Sequence, residues 1–369
     1  MNKLKFALIG CGRISSNHIK ALLENFEEAE LTSVCDILRD KAKEKADEYL
    51  EKTKNKNLTL KKPTVYKNYQ EMLKKENLDV CAICTESGYH TKISLDCLNS
   101  KKHVIVEKPM AMSIIDADKM IQTAQKNKLK LAVCYQNRFN PPIQKLKQAI
   151  DEKRFGRIFA GTARILWSRN QAYYNQAKWR GTWKLDGGCL MNQCIHNIDL
   201  LQWMMDSEID SVYGHTENYL HPYIQAEDYG SIIIKFKNGS IGNIEGTVCI
   251  YPKNLEETLT ILGENGTAVI GGLALNKIIV WKFKDNLETL EQVQKEYYSE
   301  IKNVYGNGDT LLYEDFLYSI RNDSTPLIDG NEAKKSLSII LMAYKSQKYS
   351  RVIKYNKDLN IDSEDFEEI

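Results

Sequence analysis

Three side chains in one short segment have the types and spacing that proton transfer from a hydroxyl requires. Asn192, His196 and Asp199 stand at i, i+4 and i+7. On a helix turning 100° per residue they fall within about 60° of one another. One face then presents an amide, an imidazole and a carboxylate. Imidazole titrates near neutrality, which suits a general base, and Asp199, one turn on, is placed to orient it or raise its basicity. Asp186-Gly187-Gly188 reads as the turn that opens this helix, and Leu200, Trp203 and Met204 supply its apolar packing. Trp179 and Arg180 precede it, beside Lys178, in position to meet a polar or anionic ligand. Arg138 and Asn140, just past the last strand of the preceding domain, are candidates of the same kind. A lone histidine is more often a hydrogen-bonded core residue, so the reading of His196 depends on what else the chain carries.

It carries a phosphate-binding turn. Gly10-Cys11-Gly12-Arg13-Ile14-Ser15 follows an apolar run and precedes a helical one. The pattern is G-x-G-x-x-S, with serine in place of the third glycine. The first glycine permits a tight turn, the second lets the backbone approach a pyrophosphate, and the helix N-terminus favours its charge. The context of strand, turn and helix is what gives this weak motif its meaning. Asp36 ends the next strand, 24 residues on from Gly12. A carboxylate there accepts from ribose hydroxyls and repels the extra phosphate of NADP, which favours NAD. Arg39 pulls the other way, since a nearby arginine accommodates that phosphate. Glu107-Lys108-Pro109 closes the strand His103–Val106. Ligands of open α/β sheets bind at the carboxyl ends of strands, so Lys108 is placed to donate to a substrate hydroxyl.

The elements that must position these groups are legible in the hydrophobic pattern. Short apolar runs at Lys5–Ile9, Leu31–Cys35, Val80–Cys84 and Val104–Val106 alternate with helical stretches up to Lys126. That alternation predicts βαβ units and a parallel, doubly wound sheet, with Lys128–Gln136 as a further strand leading out. Beyond it the runs 161–167, 211–219, 229–236, 241–250, 257–262, 267–270 and 277–283 read as strands. Asn238-Gly239 and Asn265-Gly266 mark hairpins between them. Helices are expected at Ile143–Glu152, Leu190–Met205 and Ala333–Tyr349. The expected fold is α/β: a dinucleotide-binding Rossmann domain over 1–136, an α+β domain with a large open, mostly antiparallel sheet over 137–355, and an acidic tail over 356–369.

Composition narrows the class. The chain has 369 residues, 51 Lys+Arg against 49 Asp+Glu, and a net charge of +2. A dedicated nucleic-acid binder shows a clear basic excess, and none is present. The apolar start Phe6–Ile9 is too short for a signal peptide, and no run reaches membrane-spanning length. Nine cysteines without an export signal read as reduced thiols in a cytoplasmic protein. Cys81 and Cys84 lie three apart on a strand, on opposite faces. Cys194 sits about 200° around the helix from His196. A shared metal is therefore not expected.

These segments together, with Thr85-Glu86-Ser87-Gly88-Tyr89-His90, resemble the glucose-fructose oxidoreductase, inositol dehydrogenase and rhizopine catabolism (Gfo/Idh/MocA) family over residues 3 to 350. The resemblance implies an NAD(P)-linked sugar or polyol oxidoreductase, with the family's lysine at Lys108 and its histidine at His196. An acid usually stands four residues before that histidine; Asn192 departs from it and cannot take a proton. The expected cofactor contacts are Gly10, Gly12, Arg13, Ile14, Asp36, Arg39, Thr85, His90, Glu107 and Lys108. Asn192, Trp179, Arg180, Arg138, Asn140 and Asp199 are expected at the substrate. The stretch Arg169–Tyr174 and the Asn192-Gln193 pair resemble the UDP-N-acetylglucosaminuronate 3-dehydrogenase branch, whose members oxidise a UDP-sugar at its 3-hydroxyl for a later transaminase in surface-polysaccharide (lipopolysaccharide) synthesis. That branch implies NAD, a UDP-sugar substrate, 2-oxoglutarate as a hydride acceptor and a homo-oligomer, dimer or tetramer, joined through the open sheet. UDP-N-acetylglucosamine, an inositol-like polyol, or an NAD-dependent glycosidase reaction remain the alternatives; intact Lys108 and His196 argue against a non-catalytic sugar sensor.

Overall fold

The structure, a computed structural model, describes residues 2–272, 274–298 and 308–355. The tail read as acidic, 356–369, lies outside the described residues. The chain divides into two compact units. The first comprises residues 1–111, 116–134 and 309–333, and the second 112–115, 135–308 and 334–369.

The first unit is a six-stranded sheet. β1 (Leu4–Ile9), β2 (Ala29–Cys35), β3 (Thr64–Tyr66), β4 (Val80–Ile83), β5 (His103–Val106) and β6 (Leu131–Val133) lie in the order β3-β2-β1-β4-β5-β6. Every pairing is parallel. Helices α1 (Ser15–Glu24), α2 (Arg39–Asn55), α3 (Tyr69–Lys75), α4 (His90–Asn99) and α5 (Ile114–Asn127) link the strands. Parallel strands are covered on both faces and so read as continuous apolar runs; β4 and the residues Phe6–Ile9 are wholly buried. Each such Leu or Ile contributes about 1.5–3 kcal/mol. β3 was not visible as an apolar run, and the strand expected over Lys128–Gln136 is only three residues long.

The second unit is built on eight strands. α6 (Pro141–Asp151), β7 (Ile158–Leu166), α7 (Gln171–Tyr174) and α8 (Ile195–Met204) come first. β8 (Ile209–Glu217), β9 (Tyr229–Phe236), β10 (Ile241–Thr247), β11 (Glu256–Gly263), β12 (Gly266–Gly271) and β13 (Lys277–Phe283) follow. α9 (Leu290–Tyr297), α10 (Gly308–Arg321), α11 (Gly330–Tyr349) and the short β14 (Ile353–Lys354) complete the described chain. The sheet order is β13-β12-β11-β7-β10-β9-β8-β14. All pairs are antiparallel except β7 with β10. Both Asn-Gly steps sit at hairpins, β9–β10 and β11–β12, as expected. Burial alternates along β9, with Ile232, Ile234 and Phe236 inside and Ser231, Ile233 and Lys235 outside.

The sequence placed everything from 137 to 355 in one domain. The chain instead returns: residues 309–333, most of α10 and the start of α11, pack with the first unit. Among the described residues no helix is long and apolar enough to cross a membrane.

Candidate active site

The first unit sets candidate cofactor-binding residues at the carboxyl ends of its strands. Gly10 has φ +93°, and its backbone N–H donates to the Cys35 carbonyl at 2.8 Å. A Cβ there would stand 2.6 Å from the backbone of Cys84, so only glycine fits. Gly12 is different: a Cβ would meet nothing within 4 Å. The turn is thus tight on one side and open on the other, a cradle of the shape a pyrophosphate needs. Ser15, in place of the third glycine, is buried and turns its hydroxyl onto the Gly12 carbonyl. α1 begins at this serine with no side-chain cap and no acidic residue in its first turn, leaving the positive helix end to a ligand. Ile14 is half-buried at the cap position, and Arg13 is exposed beside it.

Asp36 is held at the tip of β2. One carboxylate oxygen accepts from the Cys11 N–H and the other from the Leu38 N–H, both at 2.8 Å. The charge is therefore fixed next to the phosphate turn. Arg39 is exposed at the start of α2.

Glu107 is buried and tied inward. Its Oε1 lies 3.1 Å from Nε2 of His18 on α1, and Nδ1 of His18 lies 2.6 Å from the Tyr313 hydroxyl on α10. Burial works against a charge on His18, but Cys84, Tyr313 and Glu107 hold its pKa well above the usual value. The other Glu107 oxygen accepts the backbone N–H of Lys108 at 3.2 Å. The Lys108–Pro109 bond is cis, and Lys108 itself is half-buried. Behind this turn, His90 reaches the Pro109 carbonyl with Nδ1 at 2.7 Å and the Thr85 carbonyl with Nε2 at 3.0 Å. Burial lowers its pKa. Glu107 and His90, expected as cofactor contacts, thus act as braces: both are buried and commit their polar atoms to protein groups. Thr85 is half-buried, its carbonyl held by His90.

The second unit carries the segment around His196. Leu190–Cys194 form one wide π-helical turn, and the regular helix α8 starts only at Ile195. The uniform 100° spacing assumed from sequence therefore does not hold between Asn192 and His196. Such turns are rare and cluster at functional positions. The turn lies close against the sheet; a Cβ at Gly246 of β10 would meet Sγ of Cys194 at 2.6 Å. Asn192 donates to Asp186, whose other oxygen accepts the Gly181 N–H at 2.7 Å. Both Asn192 and His196 are half-buried, and the His196 ring stands edge-on to Tyr135 at 5.8 Å.

Arg138 and Asp199, expected at the substrate, are instead tied to each other. Both side chains are fully buried, and they hold each other: Nε to Oδ2 at 2.7 Å and Nη2 to Oδ1 at 2.8 Å. Arg138 also lies over the Trp203 ring at 4.8 Å. With both carboxylate oxygens on a guanidinium, Asp199 serves the fold rather than a substrate. Asn140 is also buried, and donates to the Ala274 carbonyl at 2.8 Å. Trp179 and Arg180 do come together at a partly open place. Arg180 stacks over Tyr173 and Trp179 at 4.3 and 4.6 Å and donates to the Tyr173 hydroxyl. Gln193, on the π-helical turn, donates to the same hydroxyl at 3.1 Å. Sequence reasoning missed His18, Tyr313, Tyr173 and Asp186 as partners; each meets a named residue only through the fold.

Residues 4–135 match the model of an oxidoreductase family with an NAD-binding Rossmann fold, and residues 143–269 match the GFO/IDH/MocA C-terminal domain. Myo-inositol 2-dehydrogenase of Thermotoga maritima is 22% identical over 363 residues, 95% of this chain and 98% of that protein. The WlbA dehydrogenase of Bordetella pertussis, solved with NADH and UDP-GlcNAcA, is 34% identical; the match covers 97% of this chain and 100% of that one, with a TM-score of 0.82. The WlbA enzyme from Chromobacterium violaceum, also with NADH and UDP-GlcNAcA, is 36% identical, covers 97% of each chain, and has a TM-score of 0.83.

Proposed function

Because this chain belongs to the Gfo/Idh/MocA family of NAD-dependent oxidoreductases, we propose that it oxidises the 3-hydroxyl of UDP-GlcNAcA to a ketone. The observation that carries the reading is the identity of 34–36% over almost the whole chain to two dehydrogenases solved with that nucleotide sugar. Relatives named as inositol dehydrogenases stand at 22–24%, the Thermotoga maritima one at 22%. Oxidation of an inositol-like polyol is the second reading, and those relatives are what favour it.

NAD supplies the hydride acceptor when bound. The open side of Gly12, the uncapped start of α1 and the fixed carboxylate of Asp36 fit it. The remaining work falls to side chains of this chain. His196 takes the proton of the sugar hydroxyl. The Lys108 ammonium stabilises the developing alkoxide, a charge that exists only as the reaction proceeds. Asn192, fixed by Asp186, orients the hydroxyl by hydrogen bonding and takes no proton. Arg180, stacked between two aromatic rings, offers its charge to the carboxylate or pyrophosphate of the substrate. With NAD bound, 2-oxoglutarate would serve as the final hydride acceptor, itself reduced to the 2-hydroxy acid.

The test is His196→Asn, assayed with UDP-GlcNAcA and 2-oxoglutarate. Turnover falls at least about a hundredfold, the general-base contribution, while NAD binding is kept. Undiminished turnover by this variant removes His196 as the base. Wild-type turnover of myo-inositol but not of UDP-GlcNAcA decides for the second reading.

A further inference from the structure

Glu227 stands one residue before Asp228 and two before β9, and the sequence marks it in no way. It is nevertheless the group on which the π-helical turn rests. Its backbone carbonyl accepts the Cys189 N–H at 3.0 Å, and its side-chain Oε1 accepts the Leu190 N–H at 3.0 Å. These are the first two N–H groups at the start of the turn, which a helix cannot satisfy from within. The Tyr344 hydroxyl on α11 donates to the same Oε1 at 2.8 Å, and Tyr344 is itself braced edge-on by Trp183 at 5.2 Å. The second oxygen, Oε2, is buried and has no hydrogen-bond partner among the described residues. It lies against Gly188 so closely that a Cβ there would stand 1.6 Å from it.

We propose that Glu227 is a positioning residue for the reaction: its carboxyl group docks the start of the π-helical turn and so sets where Asn192 and His196 point. The argument rests on the reading of His196 as the base. The docking works with a neutral acid. One oxygen takes two donors, and the other, facing the Gly188 backbone in an apolar place, carries the proton. The groups that face Glu227 agree. Asp186 on the preceding turn, Cys189 just before the π-turn, Tyr174 on α7 and Tyr344 on α11 bring no cation, and His221, which packs on Tyr174 at 5.4 Å, is held by Asp228 at 2.7 Å. Burial, with Asp186 adding to it, pushes the Glu227 carboxyl up to about 8, against the lowering by Leu190 N–H and Tyr344. Ionisation above that pH sets a second negative charge beside Asp186, the residue that holds Asn192. Turnover then falls on the alkaline side because the positioning group is lost.

Glu227→Gln and Glu227→Ala, each with bound NAD, test this. Glutamine keeps the acceptor oxygen and cannot ionise. Alanine removes the dock, and kcat falls about a hundredfold, as for a displacement of about 1 Å, with the NAD Kd unchanged. Glutamine rescues most of that loss at pH 7 and removes the alkaline limb near pH 8. A Glu227→Gln profile that superimposes on the wild type overturns the proposal, as does alanine at wild-type kcat. A readout without substrate keeps the test separate from the substrate assignment. An acid raised on folding from 4.5 to about 8 loses stability as the pH rises between those values. The melting temperature of Glu227→Gln therefore gains on the wild type from pH 4.5 to 8 and no further. Parallel curves across that window also overturn the proposal. Failure of UDP-GlcNAcA as a substrate leaves those curves unaffected and counts only against the substrate.

Discussion

The Arg138–Asp199 pair separates two roles that look alike in sequence. If Asp199 oriented His196, changing it to asparagine would cost turnover and little stability; a triad aspartate so changed costs about 10⁴ in kcat. The structure gives the opposite expectation. Both side chains have no exposure, and two short N–H···O bonds join them. Asp199→Asn leaves a buried guanidinium without its countercharge, which costs about 3–5 kcal/mol. For a unit of roughly 200 residues, 1 kcal/mol shifts the melting point by about 2–4 °C, so the drop is about 6–20 °C. The double change Arg138→Met with Asp199→Leu removes both charges and fills the volume. Such replacements are neutral or stabilising by about 1–4 kcal/mol. Here about 0.5–2 kcal/mol returns as a loss, because Arg138 also lies over Trp203. The double variant should therefore melt within a few degrees of the wild type. The assay is scanning calorimetry of the wild type and the two variants, with kcat measured on each below its transition. A double variant as unstable as the single one refutes the pairing argument. So does Asp199→Asn with wild-type melting and a thousandfold loss of kcat, which returns Asp199 to the imidazole.

Two further outcomes follow from buried groups. Burial opposes a charge on His221, but Asp228 at 2.7 Å, Cys249 and the Arg169 carbonyl raise it to about 10, and Asp228 is lowered to about 2. The stabilisation from His221 is full below about 6.5 and lost as the pH rises through about 10, while that from Asp228 is full above 3.8 and lost as the pH falls through about 2; the melting deficit of His221→Gln should shrink across the alkaline window and stay constant between pH 5 and 6.5. Of the nine free thiols only Cys249 is not buried, so native titration with a thiol reagent should label one cysteine, and unfolding should release the other eight. Labelling of Cys11 in the native protein would contradict its burial and its raised pKa.

What the sequence made legible was whatever the backbone itself demands. A positive φ and a contact of 2.6 Å exclude every side chain at Gly10, so the turn is written in residue type. Parallel strands buried on both faces leave apolar runs, and Asn-Gly marks hairpins. The partners of those features are not written locally. Arg138 and Asp199 lie 61 residues apart, and each alone has the signature of a ligand-binding charge. The π-helical turn leaves the pattern of apolar residues nearly helical, so a reading at 100° per residue passes over it. Glu227 is one acid among 49 Asp and Glu residues; what distinguishes it is the donors it receives, the Cys189 and Leu190 N–H groups and the Tyr344 hydroxyl.

The same contrast explains why a single boundary near 136 does not divide the chain. A Rossmann sheet of six strands is complete by Val133, and composition changes soon after, so a cut near 136 follows from pattern. Yet Lys108 owes its place to more than those strands. Its backbone N–H is held by Glu107, Glu107 meets His18, and His18 completes its second ring nitrogen on Tyr313. Tyr313 also packs its ring on Phe6 of β1 at 5.8 Å. A neighbouring contact, Asn17 to Asp309, repeats the link between α1 and α10. Without α10 the imidazole would face a buried void with one unsatisfied nitrogen, and the carboxyl of Glu107 would lose the partner that turns it inward. A group that must meet a developing charge gains from being held on rigid elements rather than on a free loop. The return of residues 309–333 to the first unit supplies that hold, which makes α10 part of the support for the lysine turn rather than an appendage of the second unit.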